Sequence, residues 1–146
     1  MKKEANILIA EDNKEHLELI RENLLRAGVC NELLNFADGQ EILNFLFDVD
    51  EGVEGEHNSH EYFLLLNLNL PKVVGVKVLE KIKQDTHLKK IPVIILTATD
   101  NQHTIEQCYN LGCSTYIVKP TERHDFENNI QKLGRFLSIV EATLIN

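Results

Sequence analysis

Short apolar runs alternate with longer stretches whose apolar residues recur every third or fourth position, and this alternation organises the whole chain. Asn6-Ile7-Leu8-Ile9-Ala10 reads as a first strand. From Lys14 to Ala27, the residues Leu17, Ile20, Leu24 and Ala27 follow helical spacing, and Gly28 stands where a helix C-cap belongs. Leu33 to Ala37 is a second strand, and Gln40 to Phe47 a short helix with Ile42, Leu43 and Leu46 inward. Residues 48–61, DVDEGVEGEHNSHE, are polar and acidic with two glycines, and read as a long loop. Tyr62 to Leu66 is the third strand, and the helix after Gly75 places Val78, Leu79 and Ile82 on one face. Pro92 to Leu96 is the fourth strand, and Thr104 to Leu111 a helix closed by Gly112. Thr115 to Val118 is the fifth strand. The last helix runs from about Arg123 to Thr143, with Phe126, Ile130, Leu133, Leu137 and Val140 as its buried stripe.

The order is therefore βαβαβαβαβα. Strands buried on both faces and joined through helices imply a parallel sheet, and right-handed crossovers make it doubly wound. The 146 residues suit a single core, and there is no repeat, low-complexity tract or linker. The expectation is one domain over residues 1–146 with no output domain.

Composition narrows the classes of function. A hydrophobic content of 43% is ordinary for a globular chain. The formal net charge of -8 argues against a general nucleic-acid or acidic-membrane surface, so no direct DNA binding and no membrane contact are expected. Cys30, Cys108 and Cys113 are odd in number and form no CxxC, which suggests neither a disulfide framework nor a zinc site. They read as reduced thiols in or near the core. No apolar run approaches the roughly 20 residues of a membrane span, and MKKEANILIA lacks the features of a signal peptide. The expected location is cytoplasmic.

In a sheet of this kind, ligands bind at the carboxyl ends of the strands. Glu11 and Asp12 follow the first strand, Asn67 ends the third with Asn69 two residues on, Thr97 ends the fourth, and Lys119-Pro120 ends the fifth. Two carboxylates together with backbone carbonyls suit Mg²⁺. A hydroxyl and an ammonium suit a phosphoryl group bridged to that metal. What is missing is an acceptor, since an aspartate at position 67 would be a nucleophile able to form an acyl phosphate.

With those residues in that order, the chain resembles a response-regulator receiver domain of two-component signalling (CheY-like). The acidic pair in AEDN, the LLLNLNLP segment with Gly75 following, Thr97 in ILTAT and Lys119 in YIVKP carry the resemblance, which covers almost the whole chain. The wording around NLNLP and YIVKP is similar to small phytochrome-associated receivers. The resemblance implies a flavodoxin-like sheet with strand order 2-1-3-4-5 and five helices. It implies that Asp12 and Glu11 are metal ligands, that Asn69 offers its backbone carbonyl to the metal, and that Thr97 and Lys119 engage the phosphoryl group. Tyr116 matches the switch aromatic, and the Lys119-Pro120 bond is often cis in this family. The implied partners are a sensor histidine kinase or a phosphotransfer protein, and the implied role is regulatory rather than enzymatic. The face formed by helix four, strand five and helix five is the implied homodimer surface.

Asn67 departs from the pattern at the phosphoacceptor position. Its amide is not nucleophilic, so no acyl phosphate is expected there. Counting Glu11, Asp12 and Lys119, the pocket's formal charge is about -1, against about -2 with an aspartate, so Mg²⁺ should bind weakly or not at all, with the Asn67 oxygen at most a weak ligand. Val74 before Gly75 is a second departure, where the family more often has a polar residue. Two readings of Asn67 follow. The chain is a receiver that works as a phosphorylation-independent binding module, or its parent is an ordinary phosphorylatable receiver into which Asn67 was introduced to lock it unphosphorylated.

Each residue also has a plainer reading. Alone, Glu11 and Asp12 would be a solvated turn, with Asp12 capping the first helix and Lys119 in a salt bridge to Asp12. His57 and His60 in HNSH read as solvated loop residues, and Cys108 and Cys113 as packing. Phe136 and Ile139 fall on a second side of the last helix, where exposed apolar residues can mark an interface. A flavin carrier on the same topology is disfavoured, because EDNKEH after the first strand is acidic and lacks glycine.

Overall fold

The structure, a computed structural model, describes residues 5–50 and 61–140. Among them, five parallel strands stand in the order β2-β1-β3-β4-β5. They are β1 (Asn6–Ala10), β2 (Leu33–Phe36), β3 (Tyr62–Leu66), β4 (Val93–Thr97) and β5 (Thr115–Val118). The helices are α1 (Lys14–Arg26), α2 (Gly39–Asp50), α3 (Gly75–Gln84), α4 (Gln102–Leu111) and α5 (Arg123–Leu137), with a short 3₁₀ turn at Leu88–Lys90.

Side chains alternate between the two sheet faces, and both faces are covered. Leu8, Leu64, Leu66, Val93 and Ile95 join Ile42, Leu46, Val78, Leu79 and Ile82 in a core beneath α2 and α3. Ile7, Ile9, Phe63, Leu65, Ile94 and Leu96 join Ile20, Leu24, Phe126, Ile130 and Leu137 in a second core beneath α1 and α5. This two-sided burial is why β1, β3 and β4 read as continuous apolar runs. Outer strands β2 and β5 are only part-buried.

Several boundaries differ from expectation. Asn13, not Asp12, caps α1, its side chain accepting from His16 N at 3.0 Å. Helix α2 begins at Gly39 and continues to Asp50, so the first part of the expected loop is helical, while residues 51–60, including His57 and His60, lie outside the described residues. Helix α5 stops at Leu137, where Ser138 Oγ turns back to donate to Arg135 O at 2.6 Å. Expected helical residues 141–143 lie outside the described residues. Cys30 is exposed rather than near the core, because it lies in the connection between α1 and β2; Cys108 and Cys113 are buried. Among the described residues every peptide bond is trans, Lys119-Pro120 included, the isomer an ordinary X-Pro bond favours.

Two close approaches set the loop beyond β3 against its neighbours. A Cβ on Gly75 would lie 2.5 Å from both Asn67 O and Leu68 Cα, and Gly75 N donates to Leu68 O at 2.8 Å. A Cβ on Gly39 would lie 1.9 Å from Val73 O, and Gly39 N donates to Pro71 O at 3.1 Å. Residues 67–73 are thereby clamped between the first turns of α2 and α3. Val74 stands at the N-cap of α3, where its apolar side chain cannot accept from an orphan N–H, and it makes no side-chain capping bond.

Candidate functional site

The carboxyl ends of β1, β3, β4 and β5 bring Glu11, Asn67, Thr97 and Lys119 together. Each is polar and nearly inaccessible, at 3%, 8%, 0% and 7% exposure respectively, so each needs a partner inside the protein. Asp12 and Asn69 sit at the solvent side of the same cluster.

Asn67 is the hub. Its Nδ2 donates to Glu11 Oε2 at 3.2 Å and, more loosely, to Asp12 Oδ1 at 3.5 Å. Its Oδ1 accepts from Thr97 Oγ1 at 2.9 Å and from Asn69 N at 3.2 Å. Backbone bonds aim the side chain: Asn67 N donates to Ala10 O at 3.1 Å, and Lys119 N donates to Thr97 O at 2.7 Å. The amide's four hydrogen-bonding positions are all used.

Lys119 pairs with Glu11 Oε1 at 2.5 Å, not with Asp12 as the plainer sequence reading had it. The physical reason is depth: Glu11 is turned inward with Lys119, while Asp12 faces solvent. Glu11 also accepts from Asn13 N at 3.0 Å. The ammonium has a second neighbour that the sequence did not single out, His16 Nδ1 at 3.0 Å. The His16 ring in turn meets Phe126 edge-on at 5.3 Å. His16 lies in the first turn of α1, and nothing in the sequence marked it as a neighbour of Lys119. Asp38, after β2, is spent on structure. Its Oδ1 accepts from Glu41 N at 2.8 Å and it pairs with Lys72 at 3.4 Å. The Glu41 backbone bond first, then Lys72, hold its carboxyl below the usual range against the opposing effect of burial.

Tyr116 lies on β5 with its hydroxyl donating to Thr99 O at 2.7 Å, which seats the ring against the β4–α4 connection. Burial, then nearby Cys108, Asp100 and Cys113, pushes its phenol up to about 12, so it remains a neutral donor. Asn69 Nδ2 reaches Thr99 Oγ1 at 3.5 Å from the other side. Thr99 thus connects the amide cluster to Tyr116. Tyr109 on α4, Val118 on β5, Phe136 on α5 and Ile139 just after it are exposed large apolar residues. A groove of about 360 Å³ runs between β5 and α5, lined by Thr115, Ile117, Asn129, Lys132, Leu133 and Phe136.

A sequence description of the response regulator receiver domain matches residues 7–131. The chain belongs to the response-regulator receiver family. Response regulator Rcp1 of Synechocystis sp. is 34% identical over 130 residues, covering 89% of this chain and 86% of its own length. The Mn²⁺-bound form of Rcp1 superposes with a TM-score of 0.83 at 32% identity, over 95% of this chain and 99% of that one. A receiver domain from Rhodospirillum rubrum has a TM-score of 0.88 at 38% identity, covering 97% of this chain and 99% of its own. The phosphorylated cyanobacterial phytochrome response regulator RcpA has a TM-score of 0.82 at 34% identity, covering 96% and 97%.

Receivers bind divalent metal, and the donor set here can be tested against that. Among the described residues no cluster of three or more His, Cys, Asp or Glu could hold an ion. Of the two carboxylates present, Glu11 is already committed to Lys119, and Asn67 turns a nitrogen, not an oxygen, toward both. A hard cation needs oxygen donors. The side chains as arranged do not fit a divalent cation.

Proposed function

We propose that this receiver transmits its signal through protein contacts without forming an aspartyl phosphate at position 67. The observation that carries the reading is the amide of Asn67 at the centre of the strand-end cluster, with all four of its hydrogen-bonding positions used. In this reading Asn67 occupies the phosphoacceptor position, Glu11 and Asp12 the metal-ligand positions, with Asn69 alongside through its backbone carbonyl. Thr97 and Lys119 are the phosphate-facing pair, and Tyr116 is the switch aromatic. Mg²⁺ binds weakly or not at all. The chain is regulatory rather than catalytic, works in the cytoplasm, and meets a sensor histidine kinase or a phosphotransfer protein. Saturation of the amide favours a phosphorylation-independent binding module over a pocket waiting for chemistry.

Intact mass after incubation with Mg²⁺ and acetyl phosphate tests this, with the chain and Asn67→Asp run side by side. The expected result is one added phosphoryl group on Asn67→Asp and none on the parent chain. A gain on the parent chain would show that position 67 is not the acceptor. A failure of both forms would leave the binding module and remove the latent pocket chemistry.

We also assign the α4–β5–α5 face to self-association. Phe136 at 52% and Ile139 at 78% exposure are large apolar residues, three positions apart at the end of α5, that a partner surface could cover. Sedimentation at high micromolar concentration should show a dimer that Phe136→Glu abolishes. A strictly monomeric parent chain under those conditions rules the assignment out.

A further inference from the structure

We propose that the Asn67 side chain is a built-in replacement for the divalent cation, so that this pocket is held together by an amide and is closed to metal. The inference deepens the reading of position 67 given above and rests on it.

The direction of every bond in the cluster leads to this. Asn69 N–H can only donate, so the atom facing it at 3.2 Å must be the amide oxygen. Ionised carboxylates can only accept, so the atom facing Glu11 and Asp12 must be the amide nitrogen. Turning the amide over would set an oxygen against two carboxylates and an NH₂ against an N–H. Only the Thr97 hydroxyl could adapt. The amide is therefore locked in one orientation by partners in the β1–α1 turn, at the end of β4 and in its own loop.

That orientation places the positive end of the amide dipole where two carboxylates converge. Lys119 supplies the rest from the opposite side of Glu11. Between them the two nitrogens meet both oxygens of Glu11, Oε1 with Lys119 and Oε2 with Asn67. A cation entering the cluster would have to displace the amide nitrogen, and it would find the amide oxygen already holding Thr97 and Asn69. An aspartate at position 67 inverts the situation. One of its oxygens could keep Thr97 and Asn69 N, but the other would face Glu11 and Asp12 as a third negative group. Like charges at that spacing need a counter-ion. Cohesion of these strand ends is then metal-dependent in the aspartate form and metal-independent in this chain.

The test is thermal unfolding of the chain and of Asn67→Asp, each in EDTA and in excess MgCl₂. A ligand at roughly one hundred times its dissociation constant raises Tm by about 5–10 °C for a domain of this size. The parent chain should move by less than about 1 °C, while Asn67→Asp should melt lower than the parent in EDTA and recover in MgCl₂. Free Mn²⁺, followed by its electron paramagnetic resonance signal, gives a second readout on the parent chain alone. Its signal should be unchanged by added protein, and this holds even if Asn67→Asp fails to fold without metal. A Tm rise with MgCl₂ in the parent chain equal to that of the variant, or loss of the Mn²⁺ signal on adding parent chain, overturns the proposal. Equal stability of the two forms in EDTA overturns it as well. None of these outcomes depends on whether the aspartate form accepts a phosphoryl group.

Discussion

Lys119→Met should destabilise the fold by about 3 kcal/mol, read as a lowered urea midpoint at neutral pH with an unchanged slope. The Lys119 and Glu11 side chains are 5% and 2% exposed, so water does not replace a lost partner. Breaking a buried ion pair from one side costs about 3–5 kcal/mol, mostly because the remaining charge is stranded. The low end applies here, since Glu11 keeps two N–H donors, Asn67 Nδ2 and Asn13 N. Methionine keeps much of the lysine stem's apolar packing beside Phe126, whose ring centroid lies 6.0 Å from the ammonium. The loss is therefore one of charge rather than of volume. The double variant Glu11→Gln with Lys119→Met removes both charges and should recover a large part of the stability. A cost under about 1 kcal/mol for Lys119→Met would place the pair in the class of exposed ion pairs and contradict its burial.

Gly75→Ala should destabilise by about 2–3 kcal/mol and lower Tm by about 5–10 °C. Helix propensity alone argues the other way, since alanine in a helix is worth up to about 1 kcal/mol over glycine. The sign reverses because the new methyl would meet backbone, not a flexible side-chain end. Asn67 O and Leu68 Cα both lie 2.5 Å from its position. Either α3 moves out, stretching Gly75 N to Leu68 O, or the Asn67 backbone moves and takes the amide cluster with it. The second route couples stability to the site. A stabilised Gly75→Ala variant in differential scanning calorimetry would mean that α3 and the β3 loop are further apart than the structure places them.

Much of the architecture is legible in the sequence. β1, β3 and β4 announce themselves as apolar runs because both of their faces are covered. α3 does so through Val78, Leu79 and Ile82, all buried. The ends of elements were less legible, because caps are decided by single side chains in competition. Asn13 and Asp12 are adjacent and chemically alike as caps, and only the chain direction after β1 selects Asn13. Helix α2 outran its predicted end because its last residues, polar and acidic, look like loop when taken without their neighbours. At the strand ends, position was legible and partnership was not. Glu11, Asn67, Thr97 and Lys119 do meet, as strand-end logic expects. His16, beside Lys119, carried no signal, because nothing in a sequence marks which face of α1 will overhang β5.

The periodicity of the chain determined by itself that it would form a parallel, doubly wound sheet and which residues would stand at its carboxyl edge. Period two and period three-to-four are local properties, repeated often enough along the chain to survive a wrong boundary. An amide at position 67 was likewise determined by the sequence, and with it the absence of a carboxylate nucleophile there. Only the tertiary structure decided what that amide does. Its nitrogen faces Glu11, 56 residues away in the chain, its oxygen faces Thr97, 30 residues away, and Lys119 reaches Glu11 across 108. Hydrogen bonds have direction and reach only about 3 Å, so whether a polar residue is a ligand, a strut or a spare depends on groups that no local pattern can place beside it.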